Sequence, residues 1–295
     1  MYMGHTKDVF FQGSRLAFKE FKLKHMCHNP SIAIIAKRNS GKSWVCRNIL
    51  RHLDEVHKIP GGCVIAPTDE MNSFYSAFFP NTYIHYKYRS ETLAKILSRQ
   101  KYMKGKSVEK KKAGKKLDPR AFLIMDDCLG TKGSWVNDEE MTKVFFNGRH
   151  YDLTYILTMQ FPLGIKPEFR TNFDYIFLLA EDFTSNRKRI FDHYAGMFPD
   201  FKIFNYIFSQ MTKDYCCMVV LNQGAAENFM DKIYWYKAKN IEEKDELIGC
   251  KQFRDFHNKN FNPTWNEDDD IIDINKILTK RGKTLDFKID KVENE

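Results

Sequence analysis

The residues with the clearest chemical potential are those from 36 to 43, Ala-Lys-Arg-Asn-Ser-Gly-Lys-Ser. They follow an apolar, β-branched run that begins at Ser31, and they precede a mixed amphipathic run from 44 to 57. This order predicts a strand, a phosphate-binding loop and a helix. The backbone N–H groups of such a loop, continued by the helix N-terminus, can surround the β-phosphate of a nucleoside triphosphate.

Separate side chains of this loop have separate predicted tasks. Gly41 lets the backbone approach the phosphates, Lys42 reaches the β- and γ-oxygens, and the Ser43 hydroxyl takes one position on Mg²⁺. The remaining residues that we expect to bind the nucleotide are Arg38, Asn39, Ser40 and Trp44.

Two further Gly-Lys-Ser/Thr triplets make the triplet by itself a weak signal. Gly105 begins one in a lysine-rich tract, and Gly282 begins the other in a polar tail. Only the triplet at Gly41 has a predicted strand before it and a predicted helix after it. The phosphate-loop motif usually begins with glycine, whereas this chain has Ala36 at that position. Alanine fits there if its φ is negative.

An acid pair, Asp126-Asp127, follows the apolar run from 121 to 125. In a parallel sheet this pair emerges at the same carboxyl edge as the phosphate loop. Asp126 is predicted to hold Mg²⁺ through its water shell, and Asp127 to orient or deprotonate the attacking water. Acid pairs after strands are otherwise turn or capping signals, but the phosphate loop favours the chemical roles.

One amide and three arginines complete the predicted site. Gln160 ends an apolar run and is predicted to sense the γ-phosphate or the water, the alternative being an ordinary strand end. An arginine usually stabilises the charge on the transferring phosphoryl group. We rank Arg149 first, Arg170 second and Arg38 third. Arg149 or Arg170 could reach a site in its own subunit or in a neighbour, and the alternative for each arginine is surface ion pairing.

Strands and helices alternate along the chain. Strands are predicted at 31–36, 63–67, 83–86, 121–126, 153–160 and 175–180, with 215–221 and 232–237 able to pair as a hairpin. This order predicts an α/β fold with a mainly parallel sheet and helices on both faces. The expected divisions are an N-terminal extension over 1–30, which includes short strands, an ATPase domain over 31–240, and a polar C-terminal helix or tail over 241–295.

The tract from 99 to 120 is a lysine-rich insertion. Lysine occupies positions 101, 104, 106, 110, 111, 112, 115 and 116, and two glycines lie among them. This composition predicts a mobile loop facing solvent. It either contacts a phosphate backbone or is a solvated insertion. The net charge of +9 indicates a polyanionic partner, although charge also serves solubility.

The whole-chain composition excludes several protein classes. Hydrophobic residues make up 43% of the 295-residue chain, which is typical of a globular protein with a sizeable core. No apolar run approaches the roughly 20 residues that span a bilayer, and the N-terminus lacks a signal-peptide pattern. Seven cysteines without paired CxxC spacing predict reduced thiols in a cytosol-like compartment.

Taken together, the motifs resemble the genome-packaging ATPases of large double-stranded DNA viruses, within the FtsK/HerA group of DNA-pumping motors. The resemblance covers about residues 20 to 220 and rests on 36–43, Asp126-Asp127, Gly148-Arg-His-Tyr151, Leu157-Thr-Met-Gln160, Phe169-Arg-Thr-Asn172 and 175–179. It implies a P-loop NTPase of the additional-strand (RecA-like) type, with a strand between the phosphate-loop strand and the Asp126 strand.

The resemblance also implies an activity and partners. The chain would hydrolyse ATP with Mg²⁺ and form a homo-oligomeric ring, a hexamer or pentamer, that translocates double-stranded DNA into a capsid. A capsid or membrane protein at the packaging vertex is a further implied partner. The implied location is the host cytoplasm or viral factory, or the virion itself.

Carried over by position, Lys42 and Ser43 match the phosphate and Mg²⁺ residues, Asp126 the metal acid, Asp127 the catalytic acid and Gln160 the sensor. Asp127 stands where many motors of the wider group carry the longer Glu. Two alternatives remain open: a phosphotransferase resembling nucleotide kinases, and a nucleotide-dependent DNA-binding scaffold with little turnover. The direct succession of Asp126 and Asp127 suits water activation and favours hydrolysis.

Overall fold

A computed structural model describes residues 6–128, 137–241 and 246–264. Its centre is a ten-stranded sheet with the order β1-β2-β10-β9-β8-β3-β7-β6-β4-β5. The strands are β1 Thr6–Phe11, β2 Ser14–Glu20, β3 Ser31–Ile35, β4 Gly62–Ile65, β5 Ile84–His85, β6 Ala121–Asp126, β7 Leu153–Met159, β8 Tyr175–Leu178, β9 Cys216–Leu221 and β10 Ile233–Lys237. The helices are α1 Lys42–Glu55, α2 Asp69–Asn72, α3 Ser90–Lys112, α4 Glu139–Asn147, α5 Pro167–Arg170, α6 Thr184–Tyr194, α7 Phe201–Met211 and α8 Lys251–Asn260.

The middle of the sheet is parallel from β5 through β4, β6, β7 and β3 to β8. Every residue of β3, β6, β7 and β8 is buried, which explains why these strands appear as continuous apolar runs. The strand β7 lies between β3 and β6. The predicted α/β fold and its additional strand are therefore confirmed.

Antiparallel pairs extend the sheet beyond β8. The predicted hairpin of β9 and β10 is confirmed, with Ile233 opposite Val220. The predicted short strands of the N-terminal extension form a second hairpin, β1 and β2, and β2 pairs in parallel with β10. Gln12 and Gly13 turn the hairpin with φ of 47° and 79°, the left-handed pair that suits a two-residue turn.

Helices cover both faces of the sheet, as predicted. On one face, Val45 and Ile49 of α1 pack in one buried cluster with Ile34 of β3. On the other face, Leu97 of α3 belongs to a cluster with Leu157 of β7 and with residues of α4, α6 and α7. Residues of one central strand thus point alternately to the two clusters, so that only the ends of β3, β6, β7 and β8 can reach solvent.

The structure corrects the prediction of a loop over the lysine-rich tract. The helix α3 runs on to Lys112, because lysine is a good helix former and buried Leu93 and Leu97 anchor the first turns. Gln100 is fully buried and its amide donates to the carbonyl oxygens of Pro119 and Tyr151, at 3.0 and 2.9 Å. The number of lysines in the tract does not predict these hydrogen bonds of Gln100.

One smaller expectation also needs correction. The strand predicted at 83–86 is only two residues long. After α4, Gly148 has a φ of −50° and begins a 3-10 helix, Gly148–Tyr151, and Asp152 then takes the left-handed conformation with a φ of 54°. The acidic run and tail from 267 onwards lie outside the described residues.

Two whole-chain features concern the cysteines and the membrane. All seven cysteines are free, and five of them are buried. Within the residues that the structure describes, no helix combines the length and the apolar character needed to cross a bilayer.

Candidate active site

The predicted phosphate loop joins β3 to α1 at the carboxyl edge of the parallel strands. Gly41 precedes the helix with a φ of 98°, and Asn39 has a φ of 59°. The buried Ser40 hydroxyl donates to the carbonyl oxygen of Lys37 at 2.7 Å and closes the turn. Ala36 is not among the described residues with positive φ, so its side chain fits where the pattern has glycine. The loop therefore leads into the free N–H groups of the first turn of α1.

A cleft of about 1160 Å³ lies over this loop. Its lining includes nine of the predicted site residues: Arg38, Asn39, Gly41, Lys42, Ser43, Trp44, Asp126, Asp127 and Gln160. Of the other three, Ser40 lies beneath the loop, whereas Arg149 and Arg170 do not line the cleft. Folding thus brings residues from three separate parts of the sequence into one concave site.

Lys42 is the centre of the charged group in the cleft. Its ammonium nitrogen lies 3.1 Å from Oδ1 of Asp126 and forms a second ion pair with Asp127. Burial by itself lowers the pKa of Lys42, but the two carboxylates outweigh this effect and raise the pKa above its ordinary value. The lysine therefore stays protonated, and it neutralises acids that would repel each other without it.

The backbone position of Asp127 is unusual, because its φ of 50° is left-handed. Nε2 of Gln160 donates to Oδ2 of Asp127 at 2.8 Å. Oδ1 of Asp127 is buried and has no hydrogen-bond partner within the described residues. One carboxylate oxygen is thus held by the predicted sensor and by Lys42, while the other has no partner among the described residues.

Thr158 is a further candidate site residue, which sequence reasoning passed over. It is fully buried on β7, directly opposite Asp126 of β6. Its hydroxyl donates to Oδ1 of Asp126 and accepts from the backbone N–H of Asp127 at 3.2 Å. The available signal was a hydroxyl residue inside an otherwise apolar strand, in register with the first acid. One side chain therefore orients both acids.

Replacing Thr158 with valine keeps the shape but removes the hydroxyl. We expect Thr158→Val to lower kcat about 10- to 100-fold and to destabilise the fold by about 1–3 kcal/mol, because two buried polar groups lose their partner. Steady-state ATPase assays and denaturant unfolding measure the two effects. Thr158→Ser is the matched control, since serine keeps the hydroxyl, and equal kcat in the two variants would contradict the orienting role.

The oxygen atoms in the cleft fit a magnesium ion bound to a nucleotide. The Ser43 hydroxyl and the Asp126 carboxylate are hard oxygen ligands, and Mg²⁺ usually keeps several waters and takes only one or two protein ligands. No group of three or more His, Cys, Asp or Glu side chains suited to a metal occurs within the described ranges. With Ser43 and Asp126 as its protein ligands, such an ion has positions left for phosphate oxygens and water.

The three candidate arginines have different surroundings. Arg38 is exposed and lines the cleft. Arg149 precedes β7 at the opposite edge of the sheet, where it pairs with Asp174, and its side chain is 58% exposed. Arg170 is buried, and its Nη2 donates to the carbonyl oxygen of Ile165 at 2.8 Å. Only Arg38 is placed to act within its own subunit.

A segment from 237 to 240 lines the far side of the cleft, and no sequence signal predicted it. The amide of Asn48 in α1 holds this segment, because it donates to the carbonyl oxygen of Lys239 and accepts from its N–H, both at 2.9 Å. Tyr215 is 70% exposed and lies beside Gly41. These contacts join parts of the chain that are more than 170 positions apart.

Comparisons with known proteins identify relatives of this chain. No protein-family model matches the chain. The chain is 45% identical over 255 residues to an uncharacterized protein of Acanthamoeba polyphaga mimivirus, a match that covers 86% of this chain and 88% of that protein. It is 33% identical over 238 residues to uncharacterized protein 075L of Invertebrate iridescent virus 6, covering 80% of this chain and 88% of that protein.

A solved structure gives the same fold at lower identity. The genome packaging NTPase B204 from Sulfolobus turreted icosahedral virus 2, in complex with sulfate, matches with a TM-score of 0.51 and 16% identity, over 74% of this chain and 99% of that one. The predicted resemblance is confirmed: this chain belongs to the family of large-DNA-virus proteins that includes these mimivirus and iridescent virus relatives, and it has the P-loop NTPase fold of a viral genome-packaging ATPase.

Proposed function

We propose that the protein is an ATPase that translocates double-stranded DNA and packages a viral genome into its capsid. The observation that carries the proposal is the meeting of Lys42, Asp126, Asp127 and Gln160 in one cleft beside a phosphate loop. A loop alone binds nucleotide, whereas a second acid with a free oxygen next to the metal acid suits activation of water.

Each side chain of the site has a separate role in hydrolysis. Lys42 exchanges the two carboxylates for phosphate oxygens when ATP binds, which releases Asp127 to hold the attacking water. Gln160 keeps Asp127 oriented and transmits the presence of the γ-phosphate to β7. Ser43 and Asp126 would hold Mg²⁺, which would supply positive charge to offset the growing charge on the phosphates.

A neighbouring subunit would complete the site. Arg149 is exposed at the edge opposite the cleft in its own chain, so it can serve only the site of another copy. We propose that Arg149 acts in trans within a homo-oligomeric ring, with Arg38 as the residue that contacts the nucleotide in cis. Double-stranded DNA is then the substrate of the ring, a capsid or membrane protein its anchor, and the viral factory in the host cytoplasm its place of action.

The test is an ATPase assay with and without long duplex DNA, over a range of protein concentrations. We expect DNA to stimulate hydrolysis and the specific activity to rise steeply with concentration, because complete sites form only in the assembly. A mixture of Lys42→Ala and Arg149→Ala chains should recover part of the activity that each lacks alone.

Two results would count against this function, and a third would count against the role of Arg149. Transfer of the γ-phosphate to an acceptor other than water would indicate a phosphotransferase. ATP binding without DNA-stimulated turnover would indicate a scaffold. Full activity of Arg149→Ala by itself would exclude the arginine in trans while leaving hydrolysis in place.

A further inference from the structure

The second half of α3 and the turn after it carry a concentration of positive charge that the ATP site does not use. We call residues 101–116 the basic segment. It contains eight lysines and one acidic residue, Glu109. Solvated helix faces normally mix both signs of charge, because like charges at close spacing repel. An excess of this size raises the free energy of the folded chain unless an anion relieves it.

The basic segment is a fixed structure and not a loose loop. Beyond the buried Gln100, the Ser107 hydroxyl donates to the carbonyl oxygen of Leu117 at 2.8 Å. The N–H of Lys115 donates to the carbonyl oxygen of Lys110 at 2.8 Å, which closes the end of the helix. These bonds hold the returning chain against the helix, so the lysine Cα positions are set before any partner arrives.

Four of the six lysines in the helical part of the basic segment lie on one side of the helix. At 3.6 residues per turn, Lys101, Lys104, Lys111 and Lys112 fall within an arc of about 100°. Lys104 donates to the carbonyl oxygen of His150 at 2.6 Å, and the ammonium of Lys101 lies 5.7 Å from the ring centre of Tyr151. These four lysines therefore lie along the 3-10 helix that carries Arg149, at the edge of the sheet opposite the cleft.

Most lysines of the basic segment form no ion pair with another described residue. Lys106 pairs with Glu109, and Lys104 lies 3.8 Å from Asp152. Across the described residues, the other lysines of the segment make no ion pair, namely 101, 110, 111, 112, 115 and 116, and all six are exposed. A surface of this kind fits a partner with regularly spaced negative charge.

We propose that the basic segment binds the phosphate backbone of double-stranded DNA, outside the ATP cleft. This proposal rests on the proposed function, since the duplex is the polymer that the motor moves. A single-stranded partner would favour stacking aromatics, and Tyr102 is the only aromatic residue in the segment. A membrane surface would require a continuous apolar face, whereas Val108 and Met103 are the only aliphatic or thioether side chains longer than alanine there.

The experiment compares two triple variants of the full chain. The test variant is Lys111→Gln, Lys112→Gln and Lys115→Gln. The matched control is Lys95→Gln, Lys202→Gln and Lys259→Gln, which removes the same charge from exposed positions elsewhere. Fluorescence anisotropy with a 30-base-pair duplex of mixed sequence gives the affinity between roughly 50 and 200 mM salt, the range in which phosphate contacts have a large effect.

We expect the test variant to bind duplex about 10- to 100-fold more weakly at low salt, and its plot of log affinity against log salt to be shallower by about 2 to 3, since each phosphate contact contributes about 0.9. The control should match the wild type. Both variants should keep the melting temperature and the DNA-free ATPase rate of the wild type, and high DNA concentration should restore stimulation in the test variant.

Equal affinity and salt slope in the two variants would overturn the proposal, even if DNA still stimulates the ATPase. Stronger lysine-dependent binding to single-stranded DNA or to phosphatidylserine vesicles than to duplex would overturn it as well. A shallower slope in the test variant without any DNA-stimulated ATPase in the wild type would support the surface and reject the motor. The two proposals therefore fail separately.

Discussion

Lys42→Ala is expected to lower kcat for ATP hydrolysis by about 1000-fold or more, which corresponds to about 4 kcal/mol of transition-state stabilisation. The ammonium lies 3.1 Å from Asp126 and pairs with Asp127, and it is the group that we propose binds the γ-phosphate. No other lysine near the loop contacts both acids within the described residues. Steady-state phosphate release with saturating Mg²⁺ and ATP measures the loss.

The same substitution leaves Asp126 and Asp127 without their shared cation. Both side chains are largely buried, so the loss of this cation leaves their mutual repulsion without compensation. The matched control is Lys106→Ala, because Lys106 belongs to a second Gly-Lys-Ser triplet that lies within α3. We expect it to keep the DNA-free ATPase rate. Comparable rates in the two variants would show that the cleft is not the site of hydrolysis.

Asp127→Asn is the second substitution with a large expected effect. The amide has the same shape as the carboxylate but cannot accept a proton from water, so we expect kcat to fall by about 100- to 10,000-fold. Nucleotide binding should persist or become tighter, because a negative charge near the γ-phosphate is removed. Single-turnover hydrolysis and binding of a fluorescent ATP analogue separate these two effects.

Two variants serve as references for Asp127→Asn. Asp192→Asn changes an exposed acid that pairs with Lys188 on α6 and should leave turnover unchanged. Asp126→Asn should weaken Mg²⁺-dependent nucleotide binding, which Asp127→Asn should not. If Asp127→Asn turned over ATP at the wild-type rate, the second acid would have no part in water activation, and Gln160 would lose its predicted connection to the site.

The parallel core was predictable because its strands are buried on both faces. Burial on both faces demands apolar side chains at every position of β3, β6, β7 and β8, and such runs are visible in a sequence. Parallel strands also end at one edge, so the residues that follow them, from Lys42 to Asp126 and Gln160, were expected to meet. The structure places all three in one cleft.

Other features depend on contacts that no local pattern carries. The lysine-rich tract has the composition of a loop, yet Gln100 binds carbonyl oxygens at positions 119 and 151 and extends the helix. The two arginines likewise could not be distinguished from the sequence, because Arg149 and Arg170 both precede strands. In the structure the Arg149 side chain is exposed, whereas Arg170 is buried. The charge of a side chain can be read from the sequence, but its burial and its contacts cannot.

By itself, the amino-acid sequence determined the phosphate loop, the acid pair and the order of strands, because each follows from neighbouring residues and from the periodicity of burial. Only the tertiary structure decided that Thr158 joins the two acids, that Asn48 holds the segment at Lys239, and that Arg149 lies at the far edge. These contacts link positions 25 to 191 apart, and their geometry is set by how strands and helices pack together, not by any local run of residues.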